Sequence, residues 1–390
     1  MIEFTNEIKS QLKYLANSGS FFIYDLDWLE QHVQRLAVSK AKIFYACKAN
    51  PLKYILQTVQ DAKLSFDVAS TGELQHVLDI GVMGDKIIMT GPAKPSPLLE
   101  LGLVNKVGTY VIESLTQLQL LEEFSIKYDY IPNILIRLQL QWDNNIDGVI
   151  DDGKITSFGV DLKTAAKILK QSKLPILGFH VFQWGNILSI KTLEEIWTRS
   201  IEICKTLKSD FEIMDVGGGL GIPYSGEQEL EWDEILPVIQ KLKQTYKLKD
   251  IWLEIGRYVA GPCGFYITKV IDRKITYDTN ILVVAGGINH LARPALVKEA
   301  FPIATLKKSN ATNVPFQIYG PLCTSLDYFG NHLLPSDIKI NDVLVFKQVG
   351  AYGFTESMPY FLCHELPGEA VIKNGKLNVV RRAGPPTLWL

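Results

Sequence analysis

Between Lys42 and Gln60 the chain reads KIFYACKANPLKYILQTVQ. An apolar run of strand length, Ile43–Cys47, passes straight into residues with helical spacing, and Lys48 stands at the join. A surface lysine needs no such setting. A lysine that reacts does, because its amine must be partly desolvated and aimed. Asn50-Pro51 reads as an N-cap followed by proline at the first helical position.

The same alternation continues outward. Strand-length runs recur at Ser65–Val68, Lys86–Met89, Thr109–Ile112, Ile134–Arg137, Ile176–Val181, Phe211–Val216 and Ile251–Glu254. Stretches such as TGELQHVLDIG and LKTAAKILKQS lie between them with helical periodicity, and Ser70-Thr71-Gly72-Glu73 carries a capping-box pattern. Eight strands alternating with helices fit a (β/α)8 TIM barrel. An open doubly wound sheet is the alternative, since alternation alone does not show closure. After residue 265 the helices thin out, and GFYITKVIDRKI, ILVVAGGI, FQIYG and NDVLVFKQVGAY read as strands. The expectation is an α/β barrel over 26–263 with a mainly-β domain from 1–25 and 264–390, SFFIYD at 20–25 joining the second sheet.

Composition excludes several classes. The 390 residues carry a formal net charge of −2, which gives no electrostatic case for nucleic acid or an anionic membrane. MIEFTNEIKS lacks the pattern of a signal peptide, and apolar runs such as ILVV are far shorter than the roughly 20 residues of a membrane span. Five scattered cysteines (Cys47, Cys204, Cys263, Cys323, Cys363) form no C-x-x-C pair, which fits a reducing cytoplasm and argues against structural zinc. No metal is expected.

A barrel enzyme places its chemistry at the carboxyl ends of the strands. Reading those ends in order gives Lys48, then Asp67 with Ser70 and Glu73, then Arg137, His180, the glycines 217–219 and 221 of DVGGGLGIPY, and finally Glu254 and Arg257. Glycines after the seventh strand let backbone N–H groups approach an anion, the usual place for a phosphate in this architecture. A lysine, a phosphate cradle and a carboxylate together fit pyridoxal 5'-phosphate, which needs a Schiff-base lysine, an anion site and a partner for its pyridine nitrogen. The plainer readings are a rim lysine in a salt bridge, a glycine turn, and a Glu254–Arg257 ion pair.

The motifs FYACKAN, FDVASTGEL, GFHVF, DVGGGLGI, EIGRYVAGP, GPLCTSLD and GAYGF, in this order, resemble the fold type III pyridoxal-phosphate decarboxylases, the ornithine, arginine and diaminopimelate decarboxylase group. The resemblance spans nearly the whole chain and implies a head-to-tail homodimer with shared active sites. It implies that Lys48 carries the cofactor as a Schiff base and that Gly217, Gly218, Gly219, Arg257 and Tyr352 hold its phosphate. Glu254 would bind the pyridine nitrogen, with Asp67, Glu73 and Arg137 as supports. Cys323 would cross from the partner subunit as the proton donor. The family usually writes H-x-H-x-G-S after strand six; this chain has HVFQWGN, with Phe182, Trp184 and Gly185 at the altered positions, leaving Phe182 or His180 to face the ring.

Substrate choice turns on the residue after Cys323. The family's diamino-acid enzymes typically place an acid there for the distal ammonium, and here it is Thr324, with Asp327 nearby as a replacement or a cap. IYDLDWLE, GPLCTSLDYFG and FKQVGAYGFTESMPYFLCHELP look like decarboxylases of carboxylate-siderophore pathways, which act on a diamino acid amide-linked to citrate. The expectation is a decarboxylase of N-citryl-ornithine or citryl-diaminopropionate. Arg293 and His290 are candidate citrate cations, with Lys94 a weaker one; Arg293 could instead grip the α-carboxyl. The alternatives are a decarboxylase of a free diamino acid and a catalytically silent cofactor-binding regulator.

Overall fold

A computed structural model describes residues 4–142 and 155–388. β1 (Phe21–Asp25) precedes the barrel in the chain. The barrel strands are β2 (Lys42–Ala46), β3 (Ser65–Val68), β4 (Ile87–Met89), β5 (Thr109–Ile112), β6 (Asn133–Arg137), β7 (Ile176–His180), β8 (Ile213–Asp215) and β9 (Asp250–Ile255). All pairings are parallel, and β2 pairs with β9, so the sheet closes. Closure settles the choice that alternation left open.

The strands are apolar because both faces are covered: β3, β4, β5 and β8 are buried at every position. Phe44, Ile88, Val111, Leu135 and Ile213, from five strands, fill one layer of the barrel, with Leu177 and Trp252 packed against them. Gly178 is required where β7 meets β8, since a Cβ there would lie 1.8 Å from the Ile213 carbonyl oxygen.

Helix starts follow local chemistry. The Oγ of Ser70 accepts from the Glu73 N–H at 3.1 Å, as the capping pattern predicts. The Glu73 carboxylate reaches one residue further back than that pattern implies and accepts from the Ala69 N–H at 2.7 Å. The Asn50-Pro51 expectation fails. The first barrel helix runs Lys53–Asp61 with Leu52 at its cap, because Cys47–Ala49 forms a 3-10 turn that carries Lys48. Asn50 closes that turn, its Oδ1 accepting from the Leu52 N–H at 3.0 Å.

Two compact units divide the chain. Glu30–Ile222 with Gln228–Val259 holds the barrel, and Met1–Leu29, Pro223–Glu227 and Ala260–Leu390 make the second. The second unit contains β1 and β10 (Gly264–Thr276), β11 (Thr279–Val284), β12 (Ile303–Thr305), β13 (Asn313–Tyr319), β14 (Tyr328–Pro335), β15 (Val343–Lys347), β16 (Gly368–Lys373) and β17 (Lys376–Arg381). Their order is β14-β13-β11-β10-β1-β16-β17, with β15 pairing β10 and β12. β1 lies antiparallel to β10 and parallel to β16, so SFFIYD does join this sheet. Helix Asn6–Leu15 lays Ile8 and Leu12 on the sheet's core beside Phe21, Ile23, Phe265 and Val345. No described helix is long and apolar enough to cross a membrane.

Candidate active site

The barrel gathers the predicted side chains at the carboxyl ends of its strands. Lys48, in the turn after β2, donates from Nζ to Asp67 Oδ2 at 3.0 Å; its side chain is 47% exposed, whereas that of Asp67 is 1% exposed. Asp67 Oδ1 accepts from the Thr90 hydroxyl at 2.6 Å. Burial, then the charge of Glu254, raises the Asp67 pKa, while Lys48 and Thr90 pull it back. The amine is thus held by a buried acid and open on the cavity side. Glu73 supports the site through the Ala69 backbone.

Arg137, ending β6, has Nη1 3.4 Å from Glu113 Oε1 and its guanidinium over the Phe158 ring at 4.5 Å. Glu113 Oε2 accepts from the Gly159 N–H at 2.9 Å. Lys94 corrects the sequence reading. It is fully buried, donates to the Gly91 carbonyl at 2.6 Å and to Gln117 Oε1 at 3.3 Å, and burial lowers its pKa to about 8. It ties the base of a loop and is no surface cation for citrate.

His180, Asp215 and Glu254 stand on the adjacent strands β7, β8 and β9. His180 Nε2 lies 3.1 Å from Glu254 Oε2. Asp215 Oδ1 accepts from the Gly217 N–H at 2.8 Å. His180 Nδ1, Asp215 Oδ2 and Glu254 Oε1 are buried with no partner among the described residues. Burial works to raise Glu254, but the neighbouring His180 outweighs it and the carboxyl is held below its usual range. Asp215 is pushed well above its usual value by burial and then by Glu254. Nothing in the sequence reading singled out Asp215; the signal was its place immediately before the glycines.

The cradle follows β8. Gly217 and Gly219 have φ of +64° and +86°, a region that favours glycine. A Cβ on Gly218 would sit 2.5 Å from the Glu254 carbonyl oxygen, and one on Gly217 would meet the Phe182 side chain at 2.6 Å. Ile187 N–H donates to the Gly219 carbonyl at 2.8 Å, and Gly221 N–H to the Ile187 carbonyl at 2.9 Å, so the loop after β7 is zipped onto the cradle. Arg257, half-buried, follows β9. A cavity of 520 Å³ opens beside Lys48 and is lined by Arg137, Thr90, Phe158, Phe182 and Trp184 among others. Phe182 faces this cavity, whereas His180 is buried against Glu254.

These residues fit pyridoxal phosphate. Glu254 Oε1 lacks a donor among the described residues, and a protonated ring nitrogen would supply one. The glycines leave a backbone cradle for the phosphate, and Lys48 is open toward the cavity. One atom each of His180, Asp215 and Glu254 lies within 4.8 Å of the others, a spacing a metal would also accept. A metal would leave the lysine and the glycine cradle without a role.

In the second unit, two expectations are corrected. His290 was a candidate cation. It is 3% exposed, its Nδ1 lies 2.8 Å from the Tyr266 hydroxyl and its Nε2 2.6 Å from the Glu365 carbonyl, and burial lowers its pKa to about 4. A neutral, enclosed imidazole holds no carboxylate. Asp327 was a candidate for the distal amine. It is buried, with Oδ1 accepting from the Ile288 N–H and Oδ2 from the Leu322 N–H, each at 2.7 Å, so it ties two loops together. Thr324 Oγ1 accepts from the Leu326 N–H at 3.3 Å, and Cys323 beside it is exposed. Arg293 Nη1 meets both Glu356 oxygens at 3.0 and 3.1 Å, with its guanidinium 5.3 Å from the Tyr352 ring centroid; Tyr352 itself has φ of +54°.

A closed barrel with a half-exposed lysine, a buried acid awaiting an N–H donor and a glycine cradle defines a pyridoxal-phosphate enzyme. The chain belongs to the pyridoxal-dependent decarboxylases: the family model "Pyridoxal-dependent decarboxylase, pyridoxal binding domain" matches residues 28–261. It is a carboxy-lyase of the diaminopimelate and ornithine decarboxylase type, with pyridoxal phosphate as cofactor. This removes the silent-regulator reading. The chain is 29% identical to the diaminopimelate decarboxylase of Campylobacter jejuni, over 95% of each chain. It is 26% identical to the 2-[(L-alanin-3-ylcarbamoyl)methyl]-2-hydroxybutanedioate decarboxylase of Staphylococcus aureus, over 92% of this chain and 95% of that one. The diaminopimelate decarboxylase of Helicobacter pylori, solved with L-lysine, superposes with a TM-score of 0.84 at 25% identity over 96% of each chain.

Proposed function

We propose that the protein decarboxylates a diamino acid whose distal amine is amide-linked to citrate, N-citryl-ornithine or citryl-diaminopropionate, within carboxylate siderophore biosynthesis in the cytoplasm. The observation that carries this reading is the cavity beside Lys48. Its described lining includes two cations, Lys48 and Arg137, and no carboxylate. A free distal ammonium entering it would be desolvated with no acid in the described lining to meet. An amide cap removes that cost. Thr324, where an acid is usual, points the same way. With His290 and Lys94 committed to structural ties, Arg137, 3.4 Å from Glu113, is the cation of the described cavity lining that a substrate carboxylate would share. The printed name of the Staphylococcus aureus relative describes an amino acid joined through a carbamoyl group to a hydroxybutanedioate, which is a conjugate of this kind.

The residues divide the work as follows. Lys48 would hold the cofactor's aldehyde carbon, with Asp67, fixed by Thr90, aiming the amine. The Gly217–Gly219 amides and Arg257 would hold the phosphate. Glu254, oriented by His180, would hold a proton at the ring nitrogen. When bound, the cofactor accepts the electron pair left at Cα as CO2 departs. Phe182 and Phe158 keep water from that carbon. Cys323, in a homodimer, returns a proton to it from the partner subunit.

A second reading, decarboxylation of free diaminopimelate or another free diamino acid, is favoured by the Campylobacter and Helicobacter relatives. Mass spectrometry on N-citryl-ornithine, citryl-diaminopropionate, free ornithine, lysine and diaminopimelate separates the two. Loss of CO2 is expected from a citrate conjugate at least tenfold more efficiently than from any free amino acid. Equal or better turnover of a free one overturns the proposal.

A further inference from the structure

The motif that departs most from the family pattern, HVFQWGN, builds one wall of the cavity. Trp184 lines the cavity, and its ring lies 5.3 Å from that of Trp142, inclined at 47°. Gln183, the residue before Trp184, is hydrogen-bonded to Trp142. Its Oε1 accepts from Trp142 Nε1–H, and its Nε2 donates to the Leu140 carbonyl. Gln139, further along the same lining, donates from Nε2 to the Phe158 carbonyl at 2.9 Å and to the Thr156 hydroxyl. The amide groups of the two glutamines and Trp142 Nε1–H are therefore engaged within the wall. What the wall offers to a guest is flat aromatic surface and amide stems, continuous with the space beside Lys48.

We propose that the Trp142–Trp184 pair, braced by Gln183, is the subsite for the planar amide link and acyl arm of the substrate. This rests on the capped-substrate reading above. Such a wall suits a planar neutral group, because an aromatic face stacks on an amide while the satisfied glutamines ask for nothing in return. An ammonium would also be attracted to a tryptophan face. Here the described lining offers it no carboxylate. The amide needs no counter-charge and is the guest this lining favours. The departure at positions 182–185 thereby acquires a role: the space where the family has small and hydroxylic residues is rebuilt as an aromatic rest for a longer substrate.

The test uses the holoenzyme and two unreactive probes, N-citryl-putrescine and free putrescine, with dissociation constants read by calorimetry. Wild-type protein is expected to bind the citryl probe at least tenfold more tightly. Trp184→Leu and Trp142→Leu are each expected to weaken the citryl probe at least tenfold and to leave putrescine within about twofold; Trp184→Phe restores most of the loss. Unchanged cofactor absorbance per protomer reports that each variant is folded and loaded. If a leucine variant does not hold its cofactor, Trp184→Phe and Gln183→Met carry the comparison, with a smaller selective loss for the citryl probe expected. If wild type prefers the citryl probe but the variants keep that preference, or weaken both probes alike, the subsite is wrong and the capped substrate stands. If wild type shows no preference, the capped substrate falls and the subsite falls with it.

Discussion

Among the buried histidines whose pKa is lowered, His290 gives the clearest acid destabilisation. His290 is enclosed between the Tyr266 hydroxyl and the Glu365 carbonyl. A carbonyl only accepts, so Nε2 carries the hydrogen and Nδ1 accepts from Tyr266. Protonation would place a second N–H against that hydroxyl and a charge in the interior, near His364 and Arg381. Burial first, and then those neighbours, lower its pKa from 6.5 to about 4. Above pH 6.5 folded and unfolded chains bind the same number of protons at this site, and His290 adds no pH dependence. Between about 6.5 and about 4 the unfolded chain takes a proton that the folded chain refuses, so stability falls with pH by up to about 1.4 kcal/mol per unit, or about 3 kcal/mol in all. Below pH 4 the slope from this group ends. His290→Gln removes the titration. In urea melts, the stability difference between wild type and His290→Gln should therefore shift by about 2 kcal/mol against the wild type between pH 7.5 and pH 5. An imidazole NMR titration of the folded protein, assigned with the same variant, should show no midpoint above pH 5 for His290. A midpoint near 6.5, or a stability difference that does not change with pH, would refute the argument and return His290 to the pool of accessible cations.

Lys48→Ala should abolish CO2 release and the cofactor's visible absorption near roughly 420 nm, read by spectrophotometry on reconstituted protein; a retained band would move the attachment to another amine. Asp215→Asn should bind cofactor within about threefold of wild type, because its amide oxygen can still accept from the Gly217 N–H. Asp215→Ala should weaken cofactor binding by roughly tenfold or more, since the buried Gly217 N–H loses its acceptor at a cost of about 1–3 kcal/mol. Equilibrium dialysis distinguishes the pair, and an asparagine as damaging as the alanine would mean that accepting this bond is not what Asp215 contributes. Asp327→Ala strips two buried N–H groups of their acceptor and should cost about 2–6 kcal/mol in thermal or urea melts without changing the ratio of conjugated to free substrate turned over. A selective gain or loss for one substrate class would restore Asp327 to the binding site.

The barrel was legible because its strands are short, apolar and evenly spaced, and because the chemistry of a barrel collects at one end. Lys48, Asp67, Arg137, His180 and Glu254 could be picked out as strand-end residues without any knowledge of their partners. What was hidden depends on partners far away in the chain. Lys94 looks like any loop lysine until Gln117 and Glu113 enclose it, and His290 looks like a cation until Tyr266 and Glu365 do the same. Local rules failed at Asn50-Pro51, where the requirement to present Lys48 on a 3-10 turn displaced the helix start. β17 escaped because it is an edge strand, mostly exposed, whose KLNVVR carries too little apolar alternation to be noticed. β14 reads YFGNHLLP, and its glycine at φ +101° and terminal proline are breaker signals inside a paired strand.

The seam between β2 and β9 has a further consequence. Lys48 follows the first barrel strand and Glu254 lies on the last, so the amine and the acid become neighbours only when the ring shuts. A growing chain emerging from the ribosome would expose its reactive nitrogen long before the glycines or the acid existed to hold a vitamin. Retention of the coenzyme is therefore a checkpoint for finished architecture, and an incomplete product would reveal itself by remaining colourless.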